Sequence, residues 1–440
     1  MKKIIMKELA IFIIVSIMLI GCNNKNIEMT KDSQKYLSAV EEMVDYYEEN
    51  PYIFYNCNEG EWKKSLKELK EDIKANKVND NDIFYRLQEL SAGLNNEHTY
   101  CEKDNDDEFL PIKGRYFNNG FYIVVADKRY KKILGKELIA INGVGFADVE
   151  KKYSKIISAK NDQWVKSKIS TDGFSKSSLK YLRLWKDNNI LTFRDSKGKT
   201  EEVNIDVVSQ EEMNKIIMDS NSYFAYKANN KQINNSEPDG GYPQYWYKLD
   251  KDNKILYFQY NVCLDKNDLN KSVMFEECSN YPDFKEFQEL FTKFANKNND
   301  NYDKIVVDVS NNTGGNMEHL ENLINCNLNL FNSKKVYAII TKNTFSAGVV
   351  AVETLADKCN ATIVGEETGG TVEIFAVQEK KSSILPITYF SGCTKINVLN
   401  KASRNTNNNS QGIIPDIYVE YTIEDSKNGI NPYYQTIINN

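Results

Sequence analysis

Between residues 254 and 370, short apolar runs alternate with helical patterns, and this alternation narrows the possible folds more than any other feature. Residues 254–261 read as a strand, and an amphipathic helix follows with Phe284, Phe287, Leu290, Phe291 and Phe294 on one face. Residues 305–309, 336–340 and 362–365 are further strands, separated by a helix through Leu330 and by another that starts beside Ser346. Parallel neighbours need long crossovers, so the alternation predicts an α/β core with a mainly parallel sheet and crossover helices. Ligands on such sheets gather at the strand C-terminal ends. Three turns fall there: one with Gly314 and Gly315, one around Ser346, and one ending in Gly369-Gly370.

A buried strand that ends in a tight polar turn and runs into a helix of small residues lifts one hydroxyl clear of the backbone. Ser346 sits at that junction, near the first free N–H groups of the helix, where the helix dipole favours negative charge. A plain helix N-cap is the structural alternative, and Ser fills that role well. Taken alone, the turn favours the cap.

Two further stretches change that balance. Asp308-Val309-Ser310-Asn311-Asn312-Thr313-Gly314-Gly315, Phe345-Ser346-Ala347-Gly348 and Gly365-Glu366-Glu367-Thr368-Gly369-Gly370 occur in this order. Together they resemble the tail-specific (C-terminal processing) proteases and the tricorn catalytic core. That family of serine peptidases has an Asp-Leu-Arg-x-Asn-x-Gly-Gly turn, a Phe-Ser-Ala-Gly turn and a Gly-Glu-x-Thr-Gly-Gly turn. Residues 412–416, Gly-Ile-Ile-Pro-Asp, resemble the family's closing segment. The resemblance implies a ClpP/crotonase-like core with Ser346 as nucleophile. It also implies an oxyanion hole from the N–H of Ala347 and of Gly314 or Gly315.

A serine hydroxyl needs a base to take its proton. The family offers two, a Lys at the end of the third turn or a His from the N-terminal part. Thr371 stands where the Lys would be, so a Ser–Lys dyad is absent. Glu97-His98-Thr99 resembles the family's Asp-Gly-His-Thr, which makes His98 the general base. The chain has 2 His; the other, His319, opens an amphipathic helix and reads as structural or surface. The acidic residue that orients the base in the tricorn type aligns with Asn409. An Asn can hold an imidazole tautomer by hydrogen bonding, with less stabilisation of the imidazolium. Glu97 is a second candidate orienter.

The rest of the chain frames this core. Its 440 residues suggest two or three domains. Lys2, Lys3 and Lys7 precede an apolar stretch that closes on Gly21-Cys22, which resembles a bacterial lipoprotein signal. Cleavage would leave Cys22 lipidated, with residues 1–21 removed, 22–35 as a tether and the protein on the extracytoplasmic side of the cell membrane. Residues 36–107 form a helical region and 108–206 a β-rich unit. There, Gly135-Lys136-Glu137-Leu138-Ile139-Ala140-Ile141-Asn142-Gly143 resembles the later half of a PDZ domain. Peptide binding by that unit stays open beside a plain spacer role. Residues 207–244 connect it to the core at 245–440.

A net charge of -6 without a long basic run argues against nucleic acid. The chain has 8 Cys, none in a C-x-x-C pair, and no HExxH, P-loop or dinucleotide-binding turn. No metal or cofactor is expected. The reading is a lipid-anchored serine peptidase of peptide or protein substrates. The competing one is a peptidase-fold lipoprotein that binds peptides or envelope components without turnover.

Overall fold

Helix starts follow the capping residues. Thr30, Asn58 and Asn79 accept first-turn N–H groups of α1 (Lys31–Glu48), α2 (Glu59–Lys74) and α3 (Asp80–Ala92). Helix α3 buries Ile83, Phe84, Leu87 and Leu90, as their spacing predicts. The chain then turns through His98 into β1 (Tyr100–Lys103). The computed structural model describes residues 28–104, 107–219, 222, 237–269, 281–397 and 412–440, with backbone alone at 269, 373–375 and 393–397. The signal segment, Cys22 and Asn409 lie outside the described residues.

Strands β2 (Ile112–Phe117), β3 (Gly120–Ala126), β4 (Glu137–Ile141), β5 (Ile190–Arg194) and β6 (Thr200–Asn204) pair antiparallel in that order. The unit expected to be β-rich also carries helices α4 (Phe146–Tyr153), α5 (Asp162–Asp172) and α6 (Lys176–Tyr181). Their apolar stripes are narrow: α5 buries only Val165, Ser167 and Ile169, too few for a periodic signal. One apolar core joins Tyr36 and Leu87 of the helical region to Phe121, Leu138 and Phe193 of this sheet. It crosses the expected boundary between residues 107 and 108.

In the central sheet β7 (Gly240–Tyr242), β8 (Tyr245–Asp250), β9 (Ile255–Tyr260), β10 (Lys304–Asp308), β11 (Lys335–Ile340) and β12 (Thr362–Gly365) neighbour one another in chain order. The hairpin β13 (Glu373–Lys381) and β14 (Ile387–Asn397) leaves that sheet and pairs with β1, and β15 (Ile417–Tyr418) returns beside β12. Strands β9 to β12 and β15 run parallel, with β7 and β8 an antiparallel edge. The register pairs Gln259 with Asp308, Asp308 with Ile339 and Ile340 with Gly365. The three strand ends are therefore level, and the turns after them meet. Among the described residues no helix is long and apolar enough to cross a membrane.

The crossover helices are α7 (Phe284–Lys297), α8 (Glu318–Cys326) and α9 (Ala347–Cys359). Helix α7 buries Phe284, Phe287 and Phe291 against Tyr245, Tyr247 and Phe258. Leu290, expected on the same face, is 46% exposed. At about 100° per residue it falls well off the centre of that stripe. Phe287→Ala should therefore lower unfolding free energy by about 3–5 kcal/mol, and Leu290→Ala by less than about 1 kcal/mol, in denaturant titrations.

Candidate active site

Ser346 occupies a strained position. Its φ is 50° and ψ is -124°, a region that L side chains rarely adopt, and its side chain makes no capping hydrogen bond. The N-cap alternative therefore does not describe it. The turn is over-determined by its neighbours: Thr344 Oγ1 donates to Val309 O at 2.9 Å and accepts from Thr341 N at 3.1 Å. Phe345 N donates to Asn312 O at 2.9 Å, and Gly370 N donates to Thr344 O at 2.9 Å. Close approach explains Gly370, where a Cβ would lie 2.7 Å from Phe345 Cα and 3.0 Å from Ser346 N.

The same turn brings His98 across 248 positions of sequence, with Nε2 3.1 Å from Ser346 Oγ. His98 is buried, its N–H donating to Asn96 Oδ1 at 3.0 Å. Its ring stacks on Phe345 at 4.8 Å and 20°, and Phe345 stacks on Trp164 of α5 at 3.9 Å and 9°. Burial pushes the imidazole down to about 4, which leaves it neutral and able to accept a proton at pH 7.

Of the oxyanion candidates, Ala347 opens α9, so its N–H has no intrahelical acceptor. Gly314 N donates to Asn312 Oδ1 at 2.9 Å and is spent. Gly315 N has no backbone acceptor among the described residues. Gly314 contributes space instead. At its φ of 108° a Cβ would stand 2.7 Å from Ser346 Cβ and 3.1 Å from Ala347 N.

Glu97 reaches across to the third turn, where its Oε1 accepts from Thr371 N at 3.2 Å and Thr371 Oγ1 at 2.7 Å. Burial raises its carboxyl above the usual range. Lys342, four residues before Ser346, forms a buried ion pair with Glu366, and burial lowers its ammonium.

His319 lies at the start of α8, stacked on Phe284 at 4.7 Å, with Nε2 2.6 Å from Asp268 Oδ2. With Asp265 these two place ligand atoms within 4.8 Å of one another. Asp265 Oδ1 is already occupied by the N–H groups of Asn267 at 2.7 Å and Asp268 at 3.0 Å, so the cluster serves as a hydrogen-bonded link between chain segments. Of the cysteines, Cys57, Cys101, Cys263, Cys326 and Cys359 are free thiols.

Sequence reasoning passed over Asn312, Asn96 and Trp164. Asn312 stood in the quoted Asn-x-Gly-Gly motif and was legible there. Trp164 had no local signal, since its partners are contributed by a distant turn.

Comparisons with solved structures bear on the fold. Mature CPAF complexed with lactacystin superposes with a TM-score of 0.62 at 14% identity, covering 93% of this chain and 98% of that chain. Mature CPAF matches at 0.62 and 13%, over 93% and 96%. The photosystem II D1 C-terminal processing protease matches at 10% identity over 90% and 94%, with a TM-score of 0.41, too loose a superposition to bear on the chemistry. No family model and no curated protein matches the sequence. The fold is that of the tail-specific protease family.

Two outcomes follow from the site's strain and burial. Ser346→Gly should be more stable than Ser346→Ala by about 1 kcal/mol in denaturant titrations, since glycine accepts the positive φ without a Cβ penalty. His98 is pushed down to about 4 by burial when folded and returns to its ordinary 6.5 when unfolded, so the unfolded chain binds the extra proton between those values. Stability should fall as pH drops through that window, by roughly 3 kcal/mol more than in His98→Gln. Buried Glu97 and Asp308, whose carboxyls are raised, act in the opposite sense in both proteins, so the difference isolates His98.

Proposed function

We propose that this chain is a serine-type peptidase that hydrolyses peptide bonds with Ser346 as nucleophile and His98 as general base. The observation that carries this reading is the 3.1 Å approach of His98 Nε2 to Ser346 Oγ on a strained turn. Ser346 Oγ attacks the peptide carbonyl carbon while its proton passes to His98 Nε2. The N–H groups of Ala347 and Gly315 receive the oxyanion, and each such donor is worth about 2.7–4 kcal/mol of barrier. His98 returns the proton to the leaving amine. Water then repeats the sequence on the acyl-enzyme, with His98 again taking the proton. Phe345 and Trp164 cover the base and limit its access to solvent.

The finer architecture belongs to the same reading: a ClpP/crotonase-like core at 245–440 and a PDZ-like unit at 108–206. So does lipidation of Cys22, with the protein held on the extracytoplasmic face of a membrane and acting on peptides or proteins there. Asn409 remains the proposed holder of the imidazole tautomer.

The alternative is a peptidase-fold protein that binds peptides or envelope components without turnover. Labelling with a fluorophosphonate probe decides between the two. The wild-type chain should take the label at Ser346, Ser346→Ala should take none, and His98→Ala should react about 10²–10⁴-fold more slowly. A folded wild type that stays unlabelled from about pH 5 to about pH 9 would establish the binding reading instead.

A further inference from the structure

We infer that Trp164, supplied by the β2–β6 unit and not by the core, is a positioning residue that fixes the plane of the His98 imidazole through Phe345. The inference rests on the reading of Ser346 and His98 as nucleophile and base. An imidazole on a turn is free to rotate about its terminal torsion unless something holds its face. Here the three rings form a ladder. His98 and Phe345 lie within 20° of parallel at 4.8 Å, and Phe345 and Trp164 within 9° at 3.9 Å. Phe345 is adjacent to Ser346, so the ring that orients the base belongs to the turn that carries the nucleophile. Trp164 closes the far side of that ring.

Helix α5 holds Trp164 in place from both sides. Asn161 caps the helix by accepting Trp164 N at 2.9 Å, and its Nδ2 donates to Gly369 O at 3.2 Å and Thr368 O at 3.4 Å. One turn further on, Ser167 Oγ donates to Asn343 Oδ1 at 2.8 Å. Residues 161, 164 and 167 are spaced by three and share one face, so a single face of α5 grips two of the three turns that make the site. Gly369 leaves room for the indole, since a Cβ there would lie 3.0 Å from Trp164 Cε3. Among the described groups, His98 approaches the Ser346 hydroxyl, and next to it in sequence the Glu97 carboxyl is bonded to Thr371 and feels the Lys160 ammonium.

The test compares Trp164→Leu, which keeps apolar volume but removes the flat ring, with Trp164→Phe, which restores one. Two readouts are taken on the full chain: the fluorophosphonate labelling rate at Ser346, and the proton NMR titration of the imidazoles. The chain has 2 His, so the His98 signals are assigned by their loss in His98→Gln. In Trp164→Leu, labelling should slow about tenfold or more, and the His98 midpoint should move up from about 4 towards its ordinary value as water reaches the ring. Trp164→Phe should recover both. Should the leucine variant unfold, the comparison moves to Ser167→Ala, which loosens the grip of α5 and leaves all three rings in place. It should then show the same shifts in smaller measure. Unchanged rate and midpoint in a folded Trp164→Leu would overturn the inference, as would a Trp164→Phe as impaired as the leucine variant. If the wild type takes no label, the titration alone decides on Trp164: a raised midpoint upholds the positioning role while the nucleophile reading fails separately.

Discussion

Asn312 holds the site together. Its Nδ2 donates to Tyr260 O at 2.9 Å, at the end of β9, and its Oδ1 accepts from Gly314 N at 2.9 Å and from Cys263 Sγ at 3.3 Å. Its carbonyl accepts from Phe345 N at 2.9 Å. One fully buried residue, through its side chain and its carbonyl, thus fastens the end of β9, the Gly-Gly turn after β10 and the serine turn after β11. A buried amide is tolerated when its donors and acceptor are all used, and then it specifies one geometry strongly. Gly314 can face Ser346 because Asn312 holds its N–H.

The level register of the parallel strands makes that fastening possible. Asp308, Ile340 and Gly365 end their strands side by side, so three short turns suffice to bring Ser346, the Gly-Gly turn and the Gly369-Gly370 turn together. The third turn is tied in turn to the closing segment, where Ile413 N donates to Thr368 Oγ1 at 2.8 Å and Thr368 N donates to Ile413 O at 3.1 Å. The strain at Ser346 is sustained because every neighbour of the turn is held by something else.

Strands β10, β11 and β12 could be read from the sequence because each was a continuous apolar run with a Gly or Ser turn after it, and all of that information is local. The helices within residues 36–92 were readable for the same reason, whereas residues 31–35, expected in the tether, form the start of α1. Hairpin β13–β14 was not, since β13 carries Glu379, Lys380 and Lys381 on an exposed edge and its partner β1 lies far away in the chain. The shared core of the helical region and the β2–β6 sheet was hidden likewise, because Leu87 and Phe193 find each other only in three dimensions. Within the site, residues in motifs stood out and residues acting through packing did not. The bond of Glu97 to Thr371, 274 positions away, depends on tertiary structure that the local sequence does not carry.

The pairing of Glu97 with Thr371 ties two distant segments into one mutational unit. The buried carboxyl accepts from both the backbone N–H and the hydroxyl of Thr371. Replacing Glu97 alone removes the acceptor those two donors share, and replacing Thr371 alone takes a hydroxyl from a carboxyl that burial has already shut off from water. The two positions are thus epistatic: a change at one is tolerated best when the other changes with it.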